Sequence, residues 1–255
     1  MKKLLVTGLL MAAPFTFAND DVDAQVEQKL NEYFASEEFD QVIDDAINRY
    51  VVRQQEAQRD AQRQAARDQA SSLIPVGDND YVRGNPDARF TLLEYSDYEC
   101  SFCKRFHSTA KQFLERNEDV NWVYRHFPLD FHNPLATRQA EAAECVGKVG
   151  GNDAFWAYSD AIFERTNSNG NGMDAAELVP MAVELGLDEA EVQACIDAGE
   201  FRPKIQLQIQ NAQSAGVSGT PGNFLLDNET GDVIPLAGAQ PLQTLESALA
   251  DLAAE

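Results

Sequence analysis

Two cysteines three residues apart, Cys100 and Cys103, are the side chains best placed to do chemistry in this chain. They follow an apolar run, Phe90 to Tyr95, that reads as a buried strand. They precede Lys104 to Arg116, which reads as an amphipathic helix. Cysteines so spaced, at the start of a helix after a strand, are the sequence form of a redox dithiol. The first sulfur then faces the unpaired N–H groups and positive dipole end of the helix. That setting favours thiolate over thiol, and thiolate is the nucleophile of disulfide exchange. The competing chemistry is half of a zinc site. Structural zinc takes four ligands, usually with a second pair, and His107, His126 and His132 are not spaced as one. Copper(I) on the two thiolates is a further use of the same pair.

Glu94 lies in the same apolar run, six residues before Cys100. A carboxylate there is costly unless it is neutral or hydrogen-bonded. The alternative is an exposed glutamate at a sheet edge. The other two cysteines, Cys145 and Cys195, are far apart in sequence. Cys100 and Cys103 are too close together to staple a fold, so the pattern leaves Cys145 with Cys195 as a structural disulfide. Two free buried thiols are the other reading, which an oxidising compartment disfavours.

Such a compartment is expected from the first residues. Met1-Lys2-Lys3, an apolar run from Leu4 to Phe17 and small residues at Thr16 and Ala18 form a secretory signal peptide, cleaved after about Ala18. The run is too short for a membrane span and contains Pro14. The lysine-led, short leader points to a bacterial periplasm. The formal charge of −22 leaves no basic patch to neutralise phosphates and excludes nucleic acid as a partner.

Residues 19–75 differ from the rest. Val22, Val26, Leu30 and Tyr33-Phe34 recur at helical spacing, and Phe39, Val42, Ile43, Ile47, Tyr50 and Val51 do so again, with Ser36 as a cap between. Arg53 to Ala70 is Gln, Arg, Ala and Asp without a large apolar side chain, and reads as an exposed helical spacer. Pro75, Gly77 and Asp78 end it. This helical arm is expected to bring two or three copies of the chain together through Phe39, Val42, Ile43, Ile47 and Tyr50. Folding back on its own chain is the alternative.

From Tyr81 strands and helices alternate. Phe90 to Tyr95 and Val120 to His126 read as strands, and Ser101 to Asn117 as a helix. Helices then fill Asn133 to Glu200: Leu135 to Lys148, Ala154 to Phe163, Ala175 to Leu185 and Asp188 to Ala198. Arg202 to Ala215 is a helix, Asn223 to Leu226 and Val233 to Leu236 a hairpin, and Pro241 to Leu252 a closing helix. The order predicts one α/β domain over 76–255, with helices inserted at about 133–200.

These residues carry a resemblance. Glu94-Tyr-Ser-Asp-Tyr-Glu-Cys100-Ser-Phe-Cys103-Lys-Arg-Phe-His107, Arg125-His-Phe-Pro-Leu129 and Val217-Ser-Gly-Thr220-Pro221 are similar to the DsbA-type periplasmic thiol-disulfide oxidoreductases. The resemblance runs from about Val82 to Leu252 and omits the arm. It implies a thioredoxin-like fold with an all-helical insertion and no cofactor. Cys100 is then the attacking and attacked sulfur, and Cys103 resolves the mixed disulfide. Ser101 and Phe102, between them, tune the Cys100 thiol. Many family members carry Pro-His there; without that histidine a milder oxidant is expected. Thr220-Pro221 is implied to be a cis peptide lying against the dithiol, offering the Thr220 backbone to an extended substrate. Glu94 is implied to move the proton of Cys103. Thr220 tilts the site toward isomerase or mixed activity.

The expected partners are unfolded or partly folded exported proteins and a membrane redox partner, DsbB-like for an oxidase or DsbD-like for an isomerase. Phe102, Phe106 and Tyr98 are candidates for an apolar rim, and core packing is an equal reading of Phe106. His107 is expected to pack or face solvent, and His126 and His132 to shape the loop at Phe127-Pro128-Leu129. The contrasting class is a copper(I)-binding or surface protein on the same scaffold.

Overall fold

Two runs of the chain, Phe90–Ser96 and Val120–His126, are buried along their whole length. Strands of that kind need cover on both faces, and the remaining elements supply it. The computed structural model describes residues 20–254; the leader expected over Met1–Ala18 lies outside the described residues. Among them, five strands form one sheet: β1 (Val82–Arg83), β2 (Phe90–Ser96), β3 (Val120–His126), β4 (Gly222–Asp227) and β5 (Val233–Ala237), in the order β1-β3-β2-β4-β5. β2 and β3 are parallel, and every other neighbouring pair is antiparallel. The helices are α1 (Asp20–Phe34), α2 (Glu37–Ala70), α3 (Ser101–Arg116), α4 (Leu135–Arg165), α5 (Leu178–Glu184), α6 (Glu189–Ala198), α7 (Arg202–Ser214) and α8 (Leu242–Ala253).

Side chains alternate across a strand, so β2 and β3 divide their residues between two cores. Leu92, Trp122 and Tyr124 face one side, where Phe106 and Phe113 of α3, Phe155 and Ile162 of α4 and Leu245 of α8 close over them. Leu93, Tyr95 and Val123 face the other, with Phe224, Ala212 of α7, and Leu73 and Val76 ahead of β1. α3 is the crossover that parallel neighbours require. α4, α5 and α6 form the helical insertion, tied by the Cys145–Cys195 disulfide with Cα atoms 5.8 Å apart. Gly151, at φ +81°, interrupts α4 where the sequence places its Gly150-Gly151 break. Asp188 caps α6 by accepting the Glu191 N–H at 2.9 Å. No helix of the described residues is long and apolar enough to cross a membrane.

The chain packs as two compact units, one running to Arg59 and the other starting at Asp60. Residues 72–75 are bonded within the second unit. Asn211 accepts the Ile74 N–H at 3.0 Å and donates to the Ser72 carbonyl at 2.5 Å. Arg125 donates to the Ile74 and Pro75 carbonyls at 2.8 and 3.1 Å. Residues 60–75 therefore belong with the sheet. β1, two residues long, leaves too short a pattern to be read beforehand. In the first unit, Ser36 accepts the Phe39 N–H at 3.3 Å and starts α2. Tyr33 and Phe34 pack on Phe39 with ring centroids 5.6 and 5.0 Å away. Val42, Ile43, Ile47, Tyr50 and Val51 are exposed.

Candidate functional site

The end of β2 and the start of α3 meet at Cys100. It occupies the N-cap position in extended conformation, and its carbonyl accepts the Lys104 N–H at 3.0 Å. The sulfur therefore sits where the helix presents free N–H groups. Cys103, one turn in, is fully buried, while Cys100 retains 5% exposure. Both are free thiols.

The two sulfurs differ chemically. The Cys100 thiol is lowered to about 6, chiefly because Cys103 donates a hydrogen bond to its thiolate. Burial opposes this, and Thr220 and the backbone N–H groups of Cys103 and Phe102 assist it. The Cys103 thiol is raised well above its ordinary range, first by burial, then by its bond to the Cys100 thiolate and by the charges of Cys100 and Glu94. One sulfur is thus ionised near neutrality while the other holds its proton.

Thr220-Pro221 reaches the dithiol from the far end of the chain. The peptide is cis, and the Cys100 sulfur donates to the Thr220 carbonyl at 3.4 Å. The next residue is glycine because there is no room for more: a Cβ on Gly222 would stand 2.4 Å from Val217 Cγ1. Ser101 is exposed, and Phe102 is 54% exposed with the Arg105 guanidinium 4.6 Å from its ring centre. Tyr98, a rim candidate beside Phe102, is instead buried, and Phe106 takes its core reading. Tyr98 turns inward to share a hydrogen bond with Ser159 at 2.7 Å, and Phe106 fills the core under α3.

Glu94 is fully buried, not at an edge. Its Oε2 accepts the Trp122 indole N–H at 3.1 Å, and burial pushes its carboxyl up to about 8. It is therefore largely protonated near neutral pH.

The histidines lie outside the dithiol's immediate bonds. His107 is buried, with Nε2 2.6 Å from Asp160. His126 ends β3, 3.2 Å from Glu144. His132 Nδ1 lies 2.7 Å from Asp97, and the same carboxylate accepts the Leu129 N–H at 2.9 Å, so this pair holds the 127–132 loop.

Four residues around the site escape sequence reading: Ser96, Asp97, Glu99 and Tyr124. Asp97 accepts the Cys100 N–H through its carbonyl at 3.0 Å and the Glu99 N–H through its carboxylate at 2.8 Å. Glu99 accepts from Gln139 at 2.8 Å, Thr166 at 2.6 Å and the Gly172 N–H at 2.8 Å. Lys104 closes the same region, donating to the Glu164 and Thr166 carbonyls at 3.3 and 2.5 Å. The available signal was three acids, Glu94, Asp97 and Glu99, crowded into the approach to an active-site helix. Acids there are buried only if something bonds them.

Comparison with known proteins agrees with this geometry. Residues 77–241 match the family described as Thioredoxin. The crystal structure of Pseudomonas aeruginosa DsbA2 is 35% identical, covers 70% of this chain and 96% of its own, and superimposes with a TM-score of 0.61. Salmonella enterica Typhimurium BcfH shares the fold at 20% identity and a TM-score of 0.62, covering 90% of this chain and 95% of its own. A protein named Na(+)/H(+) antiporter NhaA from Herminiimonas arsenicoxydans is 32% identical over 149 residues, which is 57% of this chain and 22% of that protein. The chain thus spans about a fifth of the length of the curated relatives it matches. The match over 77–241 and the likeness to DsbA2 along nearly its whole length place this chain in the thioredoxin family, among its DsbA-like thiol-disulfide oxidoreductases.

Proposed function

We propose that this chain exchanges disulfides with exported polypeptides in the periplasm, with Cys100 as the exchanging sulfur and Cys103 as the resolving one. In the oxidised protein a substrate thiolate attacks the Cys100 sulfur. The Cys100–Cys103 bond breaks, a Cys100–substrate disulfide forms, and Cys103 leaves as a thiolate that takes the Glu94 proton. A second substrate thiolate then attacks the substrate sulfur, releasing Cys100 as a thiolate. Two electrons pass from substrate to the dithiol. In the reduced protein the same steps run in reverse, and Cys100 attacks a substrate disulfide. Whether the protein works as oxidase or isomerase is set by the membrane partner that resets the dithiol, DsbB-like or DsbD-like. Thr220 and Pro221 line the substrate's path, and Ser101 and Phe102 tune Cys100 and meet the substrate.

The observation that carries this reading is the contrast between two neighbouring sulfurs, one lowered to about 6 and the other raised. A good leaving group and nucleophile beside a reluctant one is what ordered exchange requires. The test is catalysis of insulin reduction and of oxidative refolding, compared between the protein and Cys100→Ala. Loss of both activities in the variant is expected. Equal activity in the two, or a Cys100 inert to alkylation in the reduced protein at neutral pH, overturns the reading.

The arm, read from composition as 19–75 and comprising α1 and most of α2, is proposed to join copies of the chain. Its exposed Val42, Ile43, Ile47 and Tyr50 support this, since a row of large apolar side chains loses stability when left in water. The Cys145–Cys195 bridge is proposed to be purely structural, holding α4 to α6.

A further inference from the structure

A small polar group lies beneath the dithiol, and of its members Glu94 alone has a part in the exchange chemistry so far. Glu94 and Ser96 are two apart on β2 and so point to the same face. Tyr124 on parallel β3 is in register with Glu94 and shares that face. α3 covers this face and places Cys103 over it. All four side chains are at least 98% buried. Among the described residues, Glu94 Oε1, Ser96 Oγ and Tyr124 Oη have no hydrogen-bond partner. Three unpartnered oxygens side by side in a core are costly unless they serve one another at some point in the protein's cycle. Ser96 lies close enough to Glu94, Tyr124 and Cys103 to influence each of them, without closing a hydrogen bond to any.

We propose that the Ser96 hydroxyl relays the proton between Glu94 and the Cys103 sulfur, and that the Tyr124 hydroxyl orients it. The proposal rests on the reading of Cys103 as the resolving sulfur and Glu94 as its proton source. A serine hydroxyl has one proton and two lone pairs. When Cys103 leaves as a thiolate, the Glu94 O–H donates to one lone pair of Ser96 and the Tyr124 O–H to the other. The Ser96 proton is then left with the thiolate as its acceptor. Transfer breaks the Ser96 O–H and Glu94 O–H bonds, forms the Cys103 S–H bond and a new Ser96 O–H, and leaves Glu94 as a carboxylate. Ser96 and Tyr124 end as they began, and no electron moves beyond those of the disulfide. Replacing water by two fixed hydroxyls suits a site this dry.

Other titratable groups surround the relay, each with its own partner or position. Cys100 caps α3 and His107 lies on it, the latter bonded to Asp160 and packed 5.0 Å from the Trp122 ring. Tyr98 stacks on Tyr124 at 5.1 Å and shares its hydroxyl with Ser159. His126 meets the Tyr124 ring at 5.3 Å and Glu144 of α4 at 3.2 Å. Tyr158 of α4 donates to the Leu178 carbonyl at 2.7 Å, and Arg83 of β1 lies over Trp122 at 5.6 Å. Ser96 and Tyr124 both keep a free hydroxyl in this group, and Ser96 is the one that influences Glu94, Cys103 and Tyr124 alike.

The test is stopped-flow reduction of the oxidised full-length protein by dithiothreitol, across pH and in heavy water, for wild type, Ser96→Ala, Ser96→Thr, Tyr124→Phe and Glu94→Gln. Ser96→Ala is expected to slow the step by about ten- to a hundredfold and to flatten its pH profile as Glu94→Gln does. It should also lose the solvent isotope effect, while the alkylation midpoint of Cys100 stays in place. Ser96→Thr restores the rate, and Tyr124→Phe shows the same changes in weaker form. Should Ser96→Ala fail to fold, Tyr124→Phe and Ser96→Thr carry the test. Ser96→Ala with the wild-type rate, pH profile and isotope effect overturns the relay. If Glu94→Gln still abolishes the pH dependence in that case, the relay falls alone. If Glu94→Gln also behaves as wild type, Glu94 falls with it, and undiminished exchange by Cys100→Ala marks failure of the dithiol reading itself.

Discussion

The Cys100 sulfur stands 3.4 Å from the carbonyl oxygen of Thr220, a residue 120 positions later in the chain. That contact favours the thiol, because a carbonyl only accepts. The Thr220 hydroxyl has the opposite preference, since it can donate to a thiolate, and it contributes to the lowering of Cys100. Thr220→Val keeps the shape and the carbonyl and removes the donor. The expected result is a Cys100 titration, followed by thiolate absorbance near 240 nm, that moves from about 6 upward by roughly one unit. Alkylation by iodoacetamide at mildly acid pH should slow in step.

Stability should fall with rising pH in both redox states, and less steeply in the reduced one. Glu94 has a native value of about 8 against an ordinary 4.5, so folding is progressively disfavoured as pH rises through that window. The full effect is on the order of 5 kcal/mol. Cys100 has a native value of about 6 against 9.0, so it adds stability as pH rises from about 6 to 9, in the reduced protein alone. Urea unfolding should therefore show the oxidised protein losing stability from about pH 5 to about pH 8, with the reduced protein losing less. Glu94→Gln should remove the decline in both.

Glu99 is expected to matter for the fold around the site and not for proton transfer. Its carboxylate bonds Gln139, Thr166 and Gly172, and its carbonyl accepts the Asn169 N–H at 2.7 Å. These bonds hold Ser168, Asn169 and Gly170, three successive residues with φ of 66°, 67° and 84°. For Ser168 and Asn169 that conformation costs roughly 1 kcal/mol each. Glu99→Ala leaves three buried donors without an acceptor and should cost about 3 kcal/mol or more. A fall in Tm with faster amide exchange at Asn169 and Gly172 checks this.

Removing the Cys145–Cys195 bridge by double alanine substitution frees a loop of sequence separation 50. The unfolded chain then gains entropy worth roughly 4 kcal/mol in the chain-entropy account. Thermal unfolding should report a lower Tm, and the Cys100 titration should keep its midpoint, because the bridge joins α4 to α6 and touches neither sulfur of the dithiol.

Much of this architecture was legible because the signals were local. The strand-to-helix junction at Cys100, the glycine break at Gly151 and the hairpin over 222–237 each announce themselves within a few residues. What stayed hidden depends on partners distant in sequence. Ser96 and Tyr124 look ordinary until register sets Glu94 beside Tyr124. Tyr98 reads as a rim residue until its hydroxyl is seen to pair with Ser159, 61 positions on. The ties of 72–75 stay hidden for the same reason: Pro75 and Gly77 look like a linker, and Arg125 and Asn211 make 72–75 part of the sheet's cover.

Two truncations separate the arm from that cover. Removing the chain through Arg59 leaves every bond to Arg125 and Asn211 in place, so the remaining domain should unfold at close to the parent Tm. If the arm joins copies of the chain, the same variant should drop to monomer mass by light scattering, and an unchanged mass removes that role. Removing the chain through Pro75 deletes the Ile74 and Pro75 carbonyls that Arg125 bonds. The Arg125 side chain is 3% exposed and keeps Asp80 as its ion-pair partner. A buried guanidinium stripped of two acceptors, together with the loss of Leu73 from the core, should cost about 3 to 5 kcal/mol. The longer truncation should thus be much less stable than the shorter one, although the extra 16 residues include no strand. Equal stability of the two would place 60–75 with the arm, as the composition suggests.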